Sequence, residues 1–145
     1  MMMAAKQMQQ KVALARQFAS YAVGRGGRSS VGKHRIAIFG ATGMLGRYVV
    51  NALGKEGHTM LIPYRGDDME WRHLKPLGDL GKVNPMPYSP RDEDSMREAI
   101  RGCDVVINLV GKYYETKHFL PFITNYSFYD VNVRIASDIA RLSKE

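Results

Sequence analysis

Arg35-Ile36-Ala37-Ile38-Phe39-Gly40-Ala41-Thr42-Gly43-Met44-Leu45-Gly46 is the stretch that decides the fold. Arg35 to Gly40 is β-branched and apolar without alternation, which predicts a strand buried on both faces. Gly40, Gly43 and Gly46 then form G-x-x-G-x-x-G, set between that strand and a helical pattern. A glycine at the strand end makes a tight turn, a second lets backbone approach a pyrophosphate, and a third lets the helix pack closely. The helix N-terminus adds free N–H groups and a partial positive charge. A glycine triplet alone is a weak signal; strand before and helix after make it strong.

Downstream, strand-like and helix-like patterns alternate. Met44 to Lys55 carries apolar residues at Leu45, Tyr48, Val49, Ala52 and Leu53, with Gly54 and Gly57 as stop signals. Thr59 to Pro63 reads as a second strand, and residues 66–81 as polar chain with one helical turn at Glu70 to Leu74. Val83 to Tyr88 stands where a third strand belongs, and its two prolines demote it to an edge. Asp92 to Arg101 is a helix opened by acids that suit its dipole. Asp104 to Val110 is the clearest strand. Thr124 to Ser143 is a final helix, with Tyr129, Val133, Ala136, Ile139, Ala140 and Leu142 near one face. Such alternation predicts an α/β fold with a parallel sheet and right-handed crossovers.

The chain's 145 residues, 45% hydrophobic and 24% charged, suit one domain rather than a rod, a disordered tail or a two-domain enzyme. Its longest apolar run, around Val105 to Val110, is far short of the roughly 20 residues a membrane helix needs. The lone Cys103 can form neither an internal disulfide nor a metal cluster, and reads as a small buried group. The net charge of +7 lies wholly in the first 35 residues, which hold seven bases and no acid; from Ile36 onward 14 bases balance 14 acids. A nucleic-acid surface would spread its charge over the folded body, so nucleic acid is not an expected partner. Residues 1–33 are basic, amphipathic and acid-free, and end in a Gly/Ser hinge, the pattern of a mitochondrial targeting leader. The domain proper is expected over 34–145.

At the end of the second strand, an NAD site places an acid on the ribose 2′-hydroxyl. Here the chain reads Ile62-Pro63-Tyr64-Arg65, and Asp67 and Asp68 come too late. Arg65 suits a 2′-phosphate, which points to NADPH. Two motifs mislead. Gly27 to Lys33 approaches a P-loop but ends in His34 and precedes the strand. Tyr113 to Lys117 matches Y-x-x-x-K, yet follows the fourth strand rather than a fifth. His34, His58, His73 and His118 show no metal-ligand spacing.

Taken together, Ala37 to Val50, Ile62 to Arg65, His73-Leu74-Lys75-Pro76-Leu77-Gly78-Asp79-Leu80-Gly81, Val105 to Gly111 and Tyr114 to Lys117 resemble the atypical short-chain dehydrogenases. In order and spacing they are similar to the thirty-nine-kilodalton accessory subunits of mitochondrial respiratory complex I. The His73 to Gly81 segment discriminates most. The resemblance implies a Rossmann-type doubly wound sheet and a tightly bound NADPH outside the main electron path. It also implies partners in the matrix arm, at the matrix side of the inner membrane. Gly40, Thr42, Gly43, Met44 and Leu45 would face the pyrophosphate, with Ala41 and Gly46 completing the turn. Arg65 would meet the 2′-phosphate, and Leu109, Val110 and Gly111 would line the adenosine side.

The family continues well past Glu145. Four strands in order 3-2-1-4 are therefore expected as the N-terminal part of an incomplete sheet, its fourth strand an apolar edge. Either the chain is a fragment or a second polypeptide completes the sheet. Tyr88-Ser89-Pro90 stands where many relatives carry an Asp, and Phe119 to Tyr126 is an aromatic insertion without an assigned role. The expectation is an accessory subunit that is not catalytic by itself. The alternatives are a soluble NADP-dependent reductase and an NADP-sensing regulator.

Overall fold

The computed structural model describes residues 32–115 and 126–145; residues 1–31 of the expected leader, and 116–125 with Lys117, His118 and most of the aromatic insertion, lie outside the described residues. Four strands, β1 (Arg35–Phe39), β2 (Thr59–Tyr64), β3 (Val83–Pro87) and β4 (Val105–Asn108), form one parallel sheet in the order β3-β2-β1-β4. Helices α1 (Met44–Glu56), the short α2 (Met69–Arg72), α3 (Glu93–Ile100) and α4 (Ile135–Leu142) connect and cover it.

Why β1 lacks alternation is plain from its two faces. Ile36 and Ile38 pack with Val50, Met60, Ile62, Leu74 and Val83 on one side. Ala37 and Phe39 pack with Met96, Ala99, Ile135, Ile139 and Leu142 on the other. Every second residue therefore enters a different core, and the strand has no wet face. The result is a three-layer sandwich, with α1 and the 75–77 turn on one face and α3 and α4 on the other.

The prolines of β3 sit where the sheet tolerates them. Tyr88 N donates to Tyr64 O and Met60 N to Lys82 O, so even-numbered residues of β3 face β2. Pro85 and Pro87 fall on the outer edge, where a missing N–H costs no ladder bond. Pro63 acts differently. β1–β2 pairing stops at Ala37↔Leu61, one donor position before Pro63, which has no N–H to continue the ladder.

Three expectations need correction. Gly54 does not stop α1, which runs to Glu56 and ends on the left-handed Gly57. A Cβ on Gly54 would lie 2.2 Å from Leu77 O, so this glycine is where the helix crosses the 75–77 turn. The buried stripe of α1 is Gly46, Val50 and Gly54, with Leu45 and Tyr48 exposed; counting only apolar side chains rotated the expected face. At the last helix, a π-helical turn (Asp130–Arg134) precedes α4. The π turn shifts the helical phase, so Ile135, Ile139 and Leu142 are buried while Tyr129 and Val133 are exposed.

Candidate functional site

The carboxyl ends of β1, β2 and β4 open into a cleft of about 670 Å³, where parallel sheets of this order bind ligands. Its floor is the first turn. Gly40 has φ +77°, and a Cβ there would lie 2.9 Å from the carbonyl carbon and oxygen of Leu109. The turn after β1 and the exit of β4 thus meet backbone to backbone. Gly43 N donates to Gly40 O at 3.1 Å, and Gly43 caps α1 without a side-chain bond or an acid in the first turn. The positive end of the helix dipole stands uncompensated at the cleft. Gly46 lies below: a Cβ on it would come within 2.3 Å of Ala41 O.

The second wall is the end of β2. Tyr64 and Arg65 line the cleft with Glu70. Asp68 does not reach in, because its carboxylate accepts a hydrogen bond from the Tyr64 hydroxyl. That bond holds the Asp68 carboxyl below its ordinary range and pushes the Tyr64 phenol up. Burial also raises the Tyr88 phenol, while the neighbouring Arg65 charge pulls it the other way.

The third wall is the exit of β4. The strand was expected to reach Val110 but stops at Asn108, whose Oδ1 takes the Val110 amide at 3.0 Å. Leu109, Val110 and Gly111 are freed to line the cleft. Asn132 then grips the next residue. Its Oδ1 accepts from Lys112 N at 3.0 Å and its Nδ2 donates to Lys112 O at 2.8 Å. The helix carrying Asn132 is anchored by a reciprocal cap: Asp130 N donates to Ser127 Oγ, and Ser127 N and Oγ donate to the Asp130 carboxylate. Those bonds depress the Asp130 carboxyl. Lys112 Nζ donates to Tyr126 O at 3.0 Å, drawing the 126–127 segment over the rim.

Of the expected residues, Gly40, Thr42, Gly43, Arg65, Leu109, Val110 and Gly111 come together in this one cleft. Ala41 and Gly46 are buried beneath it, and the side chains of Met44 and Leu45 are exposed away from its lining. Sequence reasoning missed Tyr64, Lys112 and the rim residue Tyr126 as lining residues, and Asn132 as the clamp. The Ser127-x-x-Asp130 spacing was a legible cap signal; nothing in the sequence pairs Asn132 with Lys112, twenty residues away. Tyr113 stands on a loop at the cleft mouth, edge-on to Tyr114, and not on a helix. His34 and His58 approach to 5.5 Å between ring centroids, but no three metal-ligating side chains gather among the described residues. Cys103 is half-buried on the core, and burial raises its thiol.

The cleft fits a dinucleotide in three respects: its volume lies in the usual ligand range of about 300–1,000 Å³, glycine backbone forms its floor, and Arg65 stands at one end.

Residues 32–141 match the NmrA-like family. A subunit 9 of the NADH dehydrogenase [ubiquinone] 1 alpha subcomplex, mitochondrial, from Arabidopsis thaliana is 49% identical over 84% of this chain. The mitochondrial 40 kDa subunit of NADH-ubiquinone oxidoreductase from Neurospora crassa is 48% identical over 80% of it. The chain spans 29% of the length of each relative. A short-chain dehydrogenase/reductase from Serratia marcescens superposes with a TM-score of 0.63 at 15% identity, over 80% of this chain and 51% of that one. That likeness establishes a Rossmann-type fold and nothing further.

Proposed function

The chain belongs to the NmrA-like family, and on that premise we propose that it is a nucleotide-binding accessory part of mitochondrial complex I, holding NADPH as a structural group. The observation that carries the nucleotide reading is the convergence of Gly40, Gly43, Arg65 and Leu109 to Gly111 on one cleft. Identity near one half to subunits of that complex supports the accessory role. In this reading the 1–33 segment is a targeting leader and 34–145 is the nucleotide-binding unit. The partners are subunits of the matrix arm, and the chain sits peripherally at the inner membrane. No helix among the described residues is long and apolar enough to cross a membrane.

The residues would divide the work as follows. Gly40, Thr42 and Gly43 present backbone to the pyrophosphate, aided by the α1 dipole. Arg65 pairs with the 2′-phosphate, and Leu109 to Gly111 cover the adenosine side. Bound NADPH is a hydride donor, but in this role it serves as a strut. The first turn, the end of β2 and the exit of β4 would hold it together, and a ligand bound only by the folded form stabilises that form by mass action.

Native electrophoresis of solubilised mitochondrial membranes, with mass spectrometry of the NADH-dehydrogenase band, tests the assignment. The chain should be present with NADPH in proportion. Its absence from that band, together with hydride transfer by the purified chain, would favour a soluble reductase instead. If Arg65→Ala strips NADPH yet leaves assembly and thermal stability unchanged, the strut idea is wrong.

A further inference from the structure

The acid missing in sequence from the end of β2 is supplied in space by a residue further along. Asp67 and Asp68 follow Arg65 too late to meet a ribose, and the Asp68 carboxylate is taken up by the Tyr64 hydroxyl. Glu70 comes later still, yet it lines the cleft with Tyr64 and Arg65. Gly66 makes this possible. It follows Arg65 with φ +115°, and a Cβ on it would lie 3.3 Å from Glu70 Oε1. The Glu70 carboxylate therefore lies close over bare backbone, next in the chain to Arg65.

The loop that carries Glu70 is tied to the strand end. Glu70 N donates to Asp67 O at 3.1 Å, the Tyr64 hydroxyl donates to Asp68, and the Trp71 ring stands 6.0 Å from that of Tyr64. These contacts hold α2 against the end of β2 and keep Glu70 on the cleft wall. Among the described residues, no hydrogen bond or ion pair occupies its carboxylate.

An ionised carboxylate only accepts hydrogen bonds. An unphosphorylated adenosine ribose offers it a 2′-hydroxyl donor, whereas a 2′-phosphomonoester offers a charge of the same sign. Arg65 has the opposite preference. One wall of the cleft thus carries a side chain suited to each form of the ribose.

We propose that Glu70 is a specificity-determining residue of the cleft, accepting from the 2′-hydroxyl of an unphosphorylated adenosine nucleotide and repelling a 2′-phosphate, so that it limits the preference Arg65 creates. This rests on the nucleotide reading above and adds that the cleft also takes the non-phosphorylated form.

The test is calorimetric titration of the chain, and of its E70A and E70Q variants, with 2′,5′-ADP, 5′-AMP and 2′-deoxy-5′-AMP. Glu70 is exposed, so neither change should unfold the protein, and circular dichroism checks that. E70A should weaken 5′-AMP about fivefold or more, the scale of a hydrogen bond to a charged group, and change 2′-deoxy-5′-AMP by less than about twofold. It should strengthen 2′,5′-ADP about threefold or more by removing a like charge from the same cleft. E70Q, which loses the charge but keeps an acceptor, should strengthen 2′,5′-ADP as E70A does and weaken 5′-AMP less. If E70A moves 5′-AMP and 2′,5′-ADP in the same direction, or moves neither, or weakens the deoxy ligand as much as 5′-AMP, the proposal falls while the nucleotide reading stands. A wild-type chain that binds none of the three would overturn the nucleotide reading and this proposal together.

Discussion

Replacing Gly40 by alanine asks two things of the structure at once, and Gly81 separates them. Both glycines hold left-handed backbone, with φ +77° and +75°. An L-residue in that region costs roughly 1–2 kcal/mol, partly offset by about 0.4–1 kcal/mol from the stiffer unfolded chain. At Gly81 nothing stands within 4 Å of the added carbon, so Gly81→Ala should lose at most about 1.5 kcal/mol. At Gly40 the same carbon meets the Leu109 backbone at 2.9 Å, and a backbone cannot rotate aside as a side chain can. Overpacking of that kind adds about 1–3 kcal/mol. Gly40→Ala should therefore lose about 2–4 kcal/mol, or roughly 10–20 °C of melting temperature in a domain near this size. Thermal melts of both variants by differential scanning fluorimetry give the comparison. Because the displaced backbone is the cleft wall, Gly40→Ala should also weaken NADPH at least about tenfold, a loss of 1.4 kcal/mol, and Gly81→Ala should not. Equal destabilisation of the two variants, or undiminished NADPH binding by Gly40→Ala, would refute this account of the turn.

Asn132→Ala removes both part-buried bonds to the Lys112 backbone; a loss of about 1–3 kcal/mol and faster hydrogen exchange at the Lys112 amide are expected. The Ser127–Asp130 cap makes a pH-dependent contribution. Asp130's folded pKa is depressed by the Ser127 hydroxyl and then the Ser127 amide, so its stabilisation is present above the ordinary carboxylate range and lost as pH falls through the lower, folded value. The gap in urea midpoint between wild type and Asp130→Asn should accordingly be wide at pH 7 and narrow below about pH 3; a gap that does not change with pH would contradict that linkage. Gly54→Val drives a branched side chain into the Leu77 carbonyl and should destabilise by more than about 2 kcal/mol, measured by urea titration.

Much of this fold is legible because its strands enter cores on both faces. Ile36 to Phe39 and Met60 to Ile62 are buried throughout, so a run without period is itself the signal. Pro85 and Pro87 marked an edge strand correctly because a ladder position without an N–H is confined by simple bonding. Helix faces were less legible. Gly46 and Gly54 carry no apolar side chain, yet they form the buried face of α1 by letting backbone touch backbone. The π turn at Asp130–Arg134 shifted a second face with no compositional mark. At the site, the turn glycines and Arg65 could be read from their spacing. Lys112, Tyr126 and Asn132 could not, because their positions follow from side-chain bonds across the chain, not from any local period.

The central claim is that the ends of β1, β2 and β4 bind a 2′-phosphorylated dinucleotide. Titrating isotopically labelled chain with NADPH, and separately with NADH, while following backbone amide resonances tests it most directly. The account predicts tighter binding of NADPH, with the largest shifts at Gly40 to Gly43, Arg65 and Leu109 to Lys112. Binding of neither nucleotide, or shifts confined to the outer edge of β4, would contradict it.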